Sequence, residues 1–209
     1  MKRRPALLAI VLFPFLACGQ EKKDPPTPAE TKSPETKTTA AKATKVRFKT
    51  PQGEFVVELN AEKAPITVAN FLGYVKKKHY DGTVFHRLMP NFMIQGGGFT
   101  LNNGSLVQKA TDQPIKNEGQ NGLKNDRGTI AMARTPMLDS ATSQFFINVV
   151  DNPMLDYPSN GGYAVFGKVV EGMAVVDKIK VMETKMTPGS AEKSMPLNPV
   201  VITSATVLE

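Results

Sequence analysis

The chain has 209 residues, 41 % of them hydrophobic and 22 % charged, which suits one globular domain with appendages. Its net charge of +7 invites a nucleic-acid reading, but Lys2, Arg3 and Arg4 supply +3 and residues 19–45, with six lysines against four carboxylates, supply +2. Little basic excess is left for the rest, so nucleic acid is not an expected partner.

Residues 1–18 read as an export signal: Lys2-Arg3-Arg4, the apolar run Ala6–Ala17, then Cys18. The run is far short of the ~20 residues that span a bilayer. Its end, Phe15-Leu16-Ala17-Cys18, resembles a bacterial lipobox, which implies lipidation of Cys18, export, and a membrane-anchored protein facing the periplasm. Gly19 after the cysteine makes outer-membrane sorting the secondary inference. Residues 19–45, rich in Lys, Thr, Pro, Glu and Ala with no apolar periodicity, are expected to be a disordered linker.

From Val46 to Glu209 the pattern is globular. Val46, Phe48, Phe55, Val57 and Leu59 alternate around Pro51-Gln52-Gly53, a hairpin signal. Pro65 opens a helix in which Val68, Phe71, Leu72 and Val75 form one apolar stripe. Strands are expected at Thr83–Leu88, Asn91–Gly96, Thr129–Ala133, Gln144–Val149, Ala164–Val170 and Val200–Val207, with a second helix at Gly172–Met182. Many short strands with two isolated helices imply a mainly β, closed antiparallel sheet with plugged ends.

The chemistry narrows by exclusion. One cysteine, in the export segment, rules out an internal disulfide, a cysteine metal cluster and cysteine catalysis, and two histidines are too few for a histidine zinc site. There is no GxSxG, no P-loop and no HExxH. No metal and no cofactor are expected. The densest stretch is Thr83–Phe99, TVFHRLMPNFMIQGGGF, where Arg87 and Gln95 sit among apolar residues and need partners or a ligand. His86, next to Arg87 on a strand, is expected to face the other way.

That stretch, with FHR, FM and QGG in order, resembles the signature of the cyclophilin-type peptidyl-prolyl isomerases. Gly128–Val149 and Met154–Val169 resemble the family's other wall and its closing strand and lip. The resemblance implies an eight-stranded closed β-barrel capped by two α-helices, with the active groove on its outer wall. It implies catalysis by Arg87, with Phe92 and with Gln95, which helps place the substrate carbonyl and the arginine. Phe92, Met93, Phe146 and Leu155 match the proline pocket, Gln144 a backbone-contacting residue, and Ala133 and Arg134 the stretch that pairs with an extended peptide. The sequence departs from the eukaryotic pattern at the groove. Met154 stands for a tryptophan, Tyr163 for a histidine, Arg134 for an asparagine and Gly98 for an aspartate, as in the bacterial branch. Weak cyclosporin A binding is therefore expected. The reading is a prolyl isomerase acting on unfolded or extended proline-containing chains outside the cytoplasm. The alternative is a module or chaperone that binds proline segments, with weak or incidental catalysis.

Overall fold

Strands β1 (Lys45–Thr50) and β2 (Gly53–Leu59) form the expected hairpin. At its turn the Thr50 hydroxyl donates to the Gly53 carbonyl at 2.9 Å. In this computed structural model, which describes residues 44–208, Val46 and Phe48 point into the core and Arg47 and Lys49 outward, as period-2 alternation requires. The export segment and nearly all of the linker lie outside the described residues.

Helix α1 (Pro65–Lys76) buries Val68, Phe71 and Val75, and Tyr74 joins them. Ala64 precedes it and offers no side-chain cap. The orphan N–H groups are instead taken by Glu118 from a distant loop. Its carboxylate accepts from Ile66 N at 3.1 Å, Thr67 N at 2.8 Å and the Thr67 hydroxyl at 2.6 Å.

The remaining elements are β3 (Thr83–Leu88), β4 (Met93–Asn102), β5 (Ser105–Gln108), β6 (Thr129–Met132), β7 (Phe145–Asn148), β8 (Val165–Glu171), α2 (Met173–Lys180), β9 (Thr184–Met186), β10 (Lys193–Pro196), β11 (Val200–Val201) and β12 (Ser204–Leu208). Ten strands form one sheet in the order β11-β3-β4-β7-β6-β8-β2-β1-β12, with β5 on β4, and β9 and β10 pair apart as a hairpin.

This corrects the expectation of a closed eight-stranded barrel. The sheet is an open, strongly curled half-barrel whose path ends at β11 and β12. The reason lies in the last strand, expected whole over Val200–Val207. It breaks at Ile202-Thr203, where the Ile202 N–H turns to Thr83 O (2.7 Å) and the Thr203 N–H to Lys49 O (2.8 Å). One segment thus supplies a short strand to each end of the sheet.

The core lies in the curl of the sheet and takes both helices: Phe48, Phe55, Phe71, Phe85, Phe145 and Phe166 are each at most 1 % exposed, with Val176 and Ile179 of α2 among them. Gly97, at φ 85°, is forced by this packing. A Cβ there would stand 2.9 Å from the rings of Phe145 and Tyr80.

Candidate active site

A second apolar cluster, distinct from the core, lies across β4, β7, β6 and β8. Met93, Ala131, Phe146 and Val165 are buried in it, and Phe92, Ala133, Leu155, Tyr163, Met89 and Leu123 pack partly exposed against it. Apolar side chains left half open to solvent form a slot, and the sequence-predicted pocket residues Phe92, Met93, Phe146 and Leu155 all belong to it.

Local structure places them. Phe92 sits in the β3–β4 turn, its N–H donating to Met89 O at 2.9 Å. Its carbonyl accepts from Asn152 Nδ2 at 2.8 Å, and Asn152 also donates to Asn148 Oδ1 at 2.7 Å. Asn148 in turn donates to Asn125 Oδ1 and Thr129 Oγ1. Asn125, Asn148 and Asn152 are at most 1 % exposed, so a buried amide ladder fixes the turn that carries Phe92. Tyr163 packs edge-on against Phe146, centroids 5.7 Å apart, and the Arg134 guanidinium lies 4.4 Å from the Tyr163 ring centre. Met154, in a single 3-10 turn with Leu155, is 59 % exposed and stays outside the cluster.

Arg87 stands at the edge of the slot, its Cζ 6.0 Å from the Phe92 ring centre. Its Nε donates to Glu192 Oε1 and its Nη2 to Glu192 Oε2, both at 2.7 Å. Both side chains are about one-third exposed, at 33 % and 31 %. The hydrogen bonds from Arg87 hold the Glu192 carboxyl down at about 2. Gln95, opposite Arg87 in the β3–β4 register, donates to Gln144 Oε1 at 3.0 Å. Among the described residues the hydrogen-bond partner of Arg87 is thus Glu192, and not Gln95 as the sequence reading expected.

His86 also departs from expectation. It does not point away from Arg87: both line one groove of about 770 Å³ with Phe99, Leu106, Glu192 and Met195. The β3–β4 register shifts between Phe85 and Arg87, and such a bulge turns two successive side chains to one side. Burial pushes the His86 imidazole down to about 4.

Sequence reasoning missed Glu192 and the hairpin that carries it. Glu192 lies 105 residues from Arg87. The only local sign of the hairpin is the Pro188-Gly189 turn between two short polar strands. Arg87, Phe92, Met93, Gln95, Gln144, Phe146, Leu155, Ala133, Arg134 and Tyr163 are brought to one wall, while Cys18 lies outside the described residues.

A polar edge beside an apolar slot, with no nucleophile or acid–base pair, suits binding and twisting of a peptide rather than cleavage. Residues 45–207 match the family model for the cyclophilin type peptidyl-prolyl cis-trans isomerase/CLD. The chain is 50 % identical over 171 residues to peptidyl-prolyl cis-trans isomerase A of Dickeya dadantii, covering 81 % of this chain and 87 % of the relative. It is 50 % identical over 168 residues to peptidyl-prolyl cis-trans isomerase B of Escherichia coli, covering 78 % and 99 %. Among solved structures it resembles a Cryptosporidium parvum cyclophilin type peptidyl-prolyl cis-trans isomerase crystallised in the presence of the dipeptide Ala-Pro. That match has a TM-score of 0.65 and 25 % identity, and covers 79 % of this chain and 99 % of the other. The chain belongs to the cyclophilin-type peptidyl-prolyl cis-trans isomerase family. It is a peptidyl-prolyl cis-trans isomerase.

Proposed function

We propose that this isomerase works on unfolded or extended proline-containing chains, with Arg87 stabilising the twisted prolyl amide. The barrier of ~18–20 kcal/mol is the conjugation of the peptide C–N bond. In the twisted state the prolyl nitrogen regains a lone pair, and a donor aimed at it binds that state better than either planar isomer. The observation that carries this is a guanidinium held at the edge of an apolar slot with its Nη1 edge uncommitted: Glu192 takes only Nε and Nη2. Phe92, Met93, Phe146 and Leu155 receive the proline ring, and Gln95 with Gln144 presents amide groups to the substrate backbone.

The site of action is outside the cytoplasm, with the protein held at a membrane by lipid on Cys18 and facing the periplasm. Supporting this are the basic residues, apolar run and lone cysteine of the first 18 positions. The next 27 residues, as a flexible coil, reach roughly 28 Å from the anchor. Uncatalysed X-Pro isomerisation takes ~10–100 s, slow enough to delay a newly exported chain.

The test is Arg87→Ala in residues 46–209, assayed for isomerisation of an Ala-Pro tetrapeptide. A charged hydrogen bond is worth ~1.5–3 kcal/mol, so kcat/KM should fall by about one to two orders of magnitude while peptide affinity changes less. An unchanged kcat/KM in a folded variant would falsify the role of Arg87.

A further inference from the structure

We infer that Glu192 is a positioning residue for the isomerisation: by clasping Nε and Nη2 of Arg87 it fixes the guanidinium so that Nη1 faces the prolyl nitrogen. This rests on the assignment of Arg87 to the twisted amide. The contact is side-on and bidentate, with both N–O distances at 2.7 Å, the geometry that best fixes an arginine plane. Three hydrogens remain, two on Nη1 and one on Nη2, and none of them points at Glu192.

Glu192 is itself held. The Ser194 hydroxyl donates to Glu192 Oε1, and Ser194 Oγ lies 3.0 Å from Thr187 Oγ1. Ser190 Oγ accepts from Glu192 N at 3.1 Å, and Thr187 N donates to Glu192 O at 2.9 Å. Ser194 is 1 % exposed. The β9–β10 hairpin therefore presents a carboxylate in one orientation, not a swinging surface side chain. On the other side the Phe92 face limits how far the guanidinium can turn. Gln95, engaged with Gln144, makes no bond to the arginine. The charged and titratable groups facing Glu192 are Arg87 and His86 of β3 and Lys185 of β9; the β4–β5 turn adds Gly104, Ser105 and Leu106, none of them charged.

A carboxylate on a catalytic arginine could instead block it. The geometry points to support, because the atoms Glu192 occupies are those on one edge and the opposite edge stays open. Freeing an arginine restores up to ~2 kcal/mol of rotamer freedom, equivalent to a loss of about tenfold or somewhat more in turnover.

The experiment measures kcat and KM by exchange NMR on an Ala-Pro tetrapeptide for wild type, Glu192→Ala and Glu192→His across pH 5–8. Wild-type turnover tests the isomerase reading itself; the ratios of variants to wild type test this one. Glu192→Ala should lower kcat about tenfold with KM nearly unchanged. Glu192→His should be pH-dependent: its neutral ring can accept from Arg87 at pH 8, whereas its charged ring at pH 5 repels the guanidinium, so kcat falls as pH drops. A merely structural carboxylate gives no such profile. If Glu192→Ala raises kcat/KM, Glu192 obstructs the site and the inference is overturned. If Glu192→Ala fails to fold, the Glu192→His profile decides, and a flat one overturns the inference too.

Discussion

Gly98 stands where the eukaryotic pattern has aspartate, and its missing side chain has a specific use. A Cβ built there would lie 2.4 Å from Gln144 Cγ, 2.6 Å from Cδ and 2.8 Å from Nε2. Its backbone is not in the left-handed region, so the only obstacle to a side chain is Gln144 itself. Gly98→Ala therefore leaves the strand intact and turns Gln144 away, breaking the 3.0 Å bond from Gln95 Nε2 to Gln144 Oε1. A neutral hydrogen bond is worth ~0.5–1.5 kcal/mol, so kcat/KM should fall about two- to tenfold. Gln95 and Gln144 face the substrate backbone in both planar and twisted forms, so the loss belongs in KM rather than kcat. The melting temperature should drop by about 2–4 °C at most for a domain of this size. Steady-state kinetics on an Ala-Pro tetrapeptide, repeated in a Gln144→Ala background, isolates the coupling. With Gln144 shortened the space is open, and Gly98→Ala should then cost nothing further. An unchanged KM in the single variant, or an equal penalty in both backgrounds, refutes the reasoning.

Cys18→Ser should move the full-length protein from the membrane fraction to an unprocessed or soluble form, since among the described residues no helix is long and apolar enough to cross a membrane. Wild type already soluble after fractionation contradicts the anchor. Met154, exposed beside the slot, offers neither an indole ring nor its N–H, so cyclosporin A should bind weakly. Met154→Trp should tighten it by roughly one to two orders of magnitude with turnover nearly unchanged, read by calorimetric titration. His86, held at about 4 by burial, binds its proton less well folded than unfolded. Stability should therefore fall as pH drops from 6.5 towards 4, by about 2 kcal/mol between pH 7 and 5. Urea unfolding of wild type and His86→Phe at both pH values checks it: the variant should lose less on acidification.

What was legible in the sequence was whatever rests on local pattern. The alternation of Val46 and Phe48, and the stripe Val68, Phe71 and Val75, gave the hairpin and α1 because burial follows periods of 2 and 3.6. Arg87, Phe92, Gln95 and Phe146 were legible as a set through family resemblance, since no period links them. Contacts between distant segments were not legible. Glu118 caps α1 from 51 residues away, and Glu192 holds Arg87 from 105 away; as single letters both are ordinary surface carboxylates. The bulge beside Arg87 was invisible for another reason. A one-residue register shift leaves composition unchanged yet reverses which face His86 takes.

The departures from the eukaryotic groove are not independent of one another. Arg134 and Tyr163 replace an asparagine and a histidine, and here they touch: the guanidinium lies 4.4 Å from the ring centre. A cation over an aromatic face gains ~0.5–2 kcal/mol, and histidine is a poorer platform once protonated. Arg134 is further tied to the carbonyls of Thr135, Asn160 and Gly162, so it closes one wall rather than reaching into the slot. Gly98 and Gln144 form a second pair, one vacating the space the other fills. Each pair redraws a wall, while Arg87, Phe92 and Phe146 keep the guanidinium and apolar floor that isomerisation needs. The groove can thus change what flanks the proline without changing what twists it.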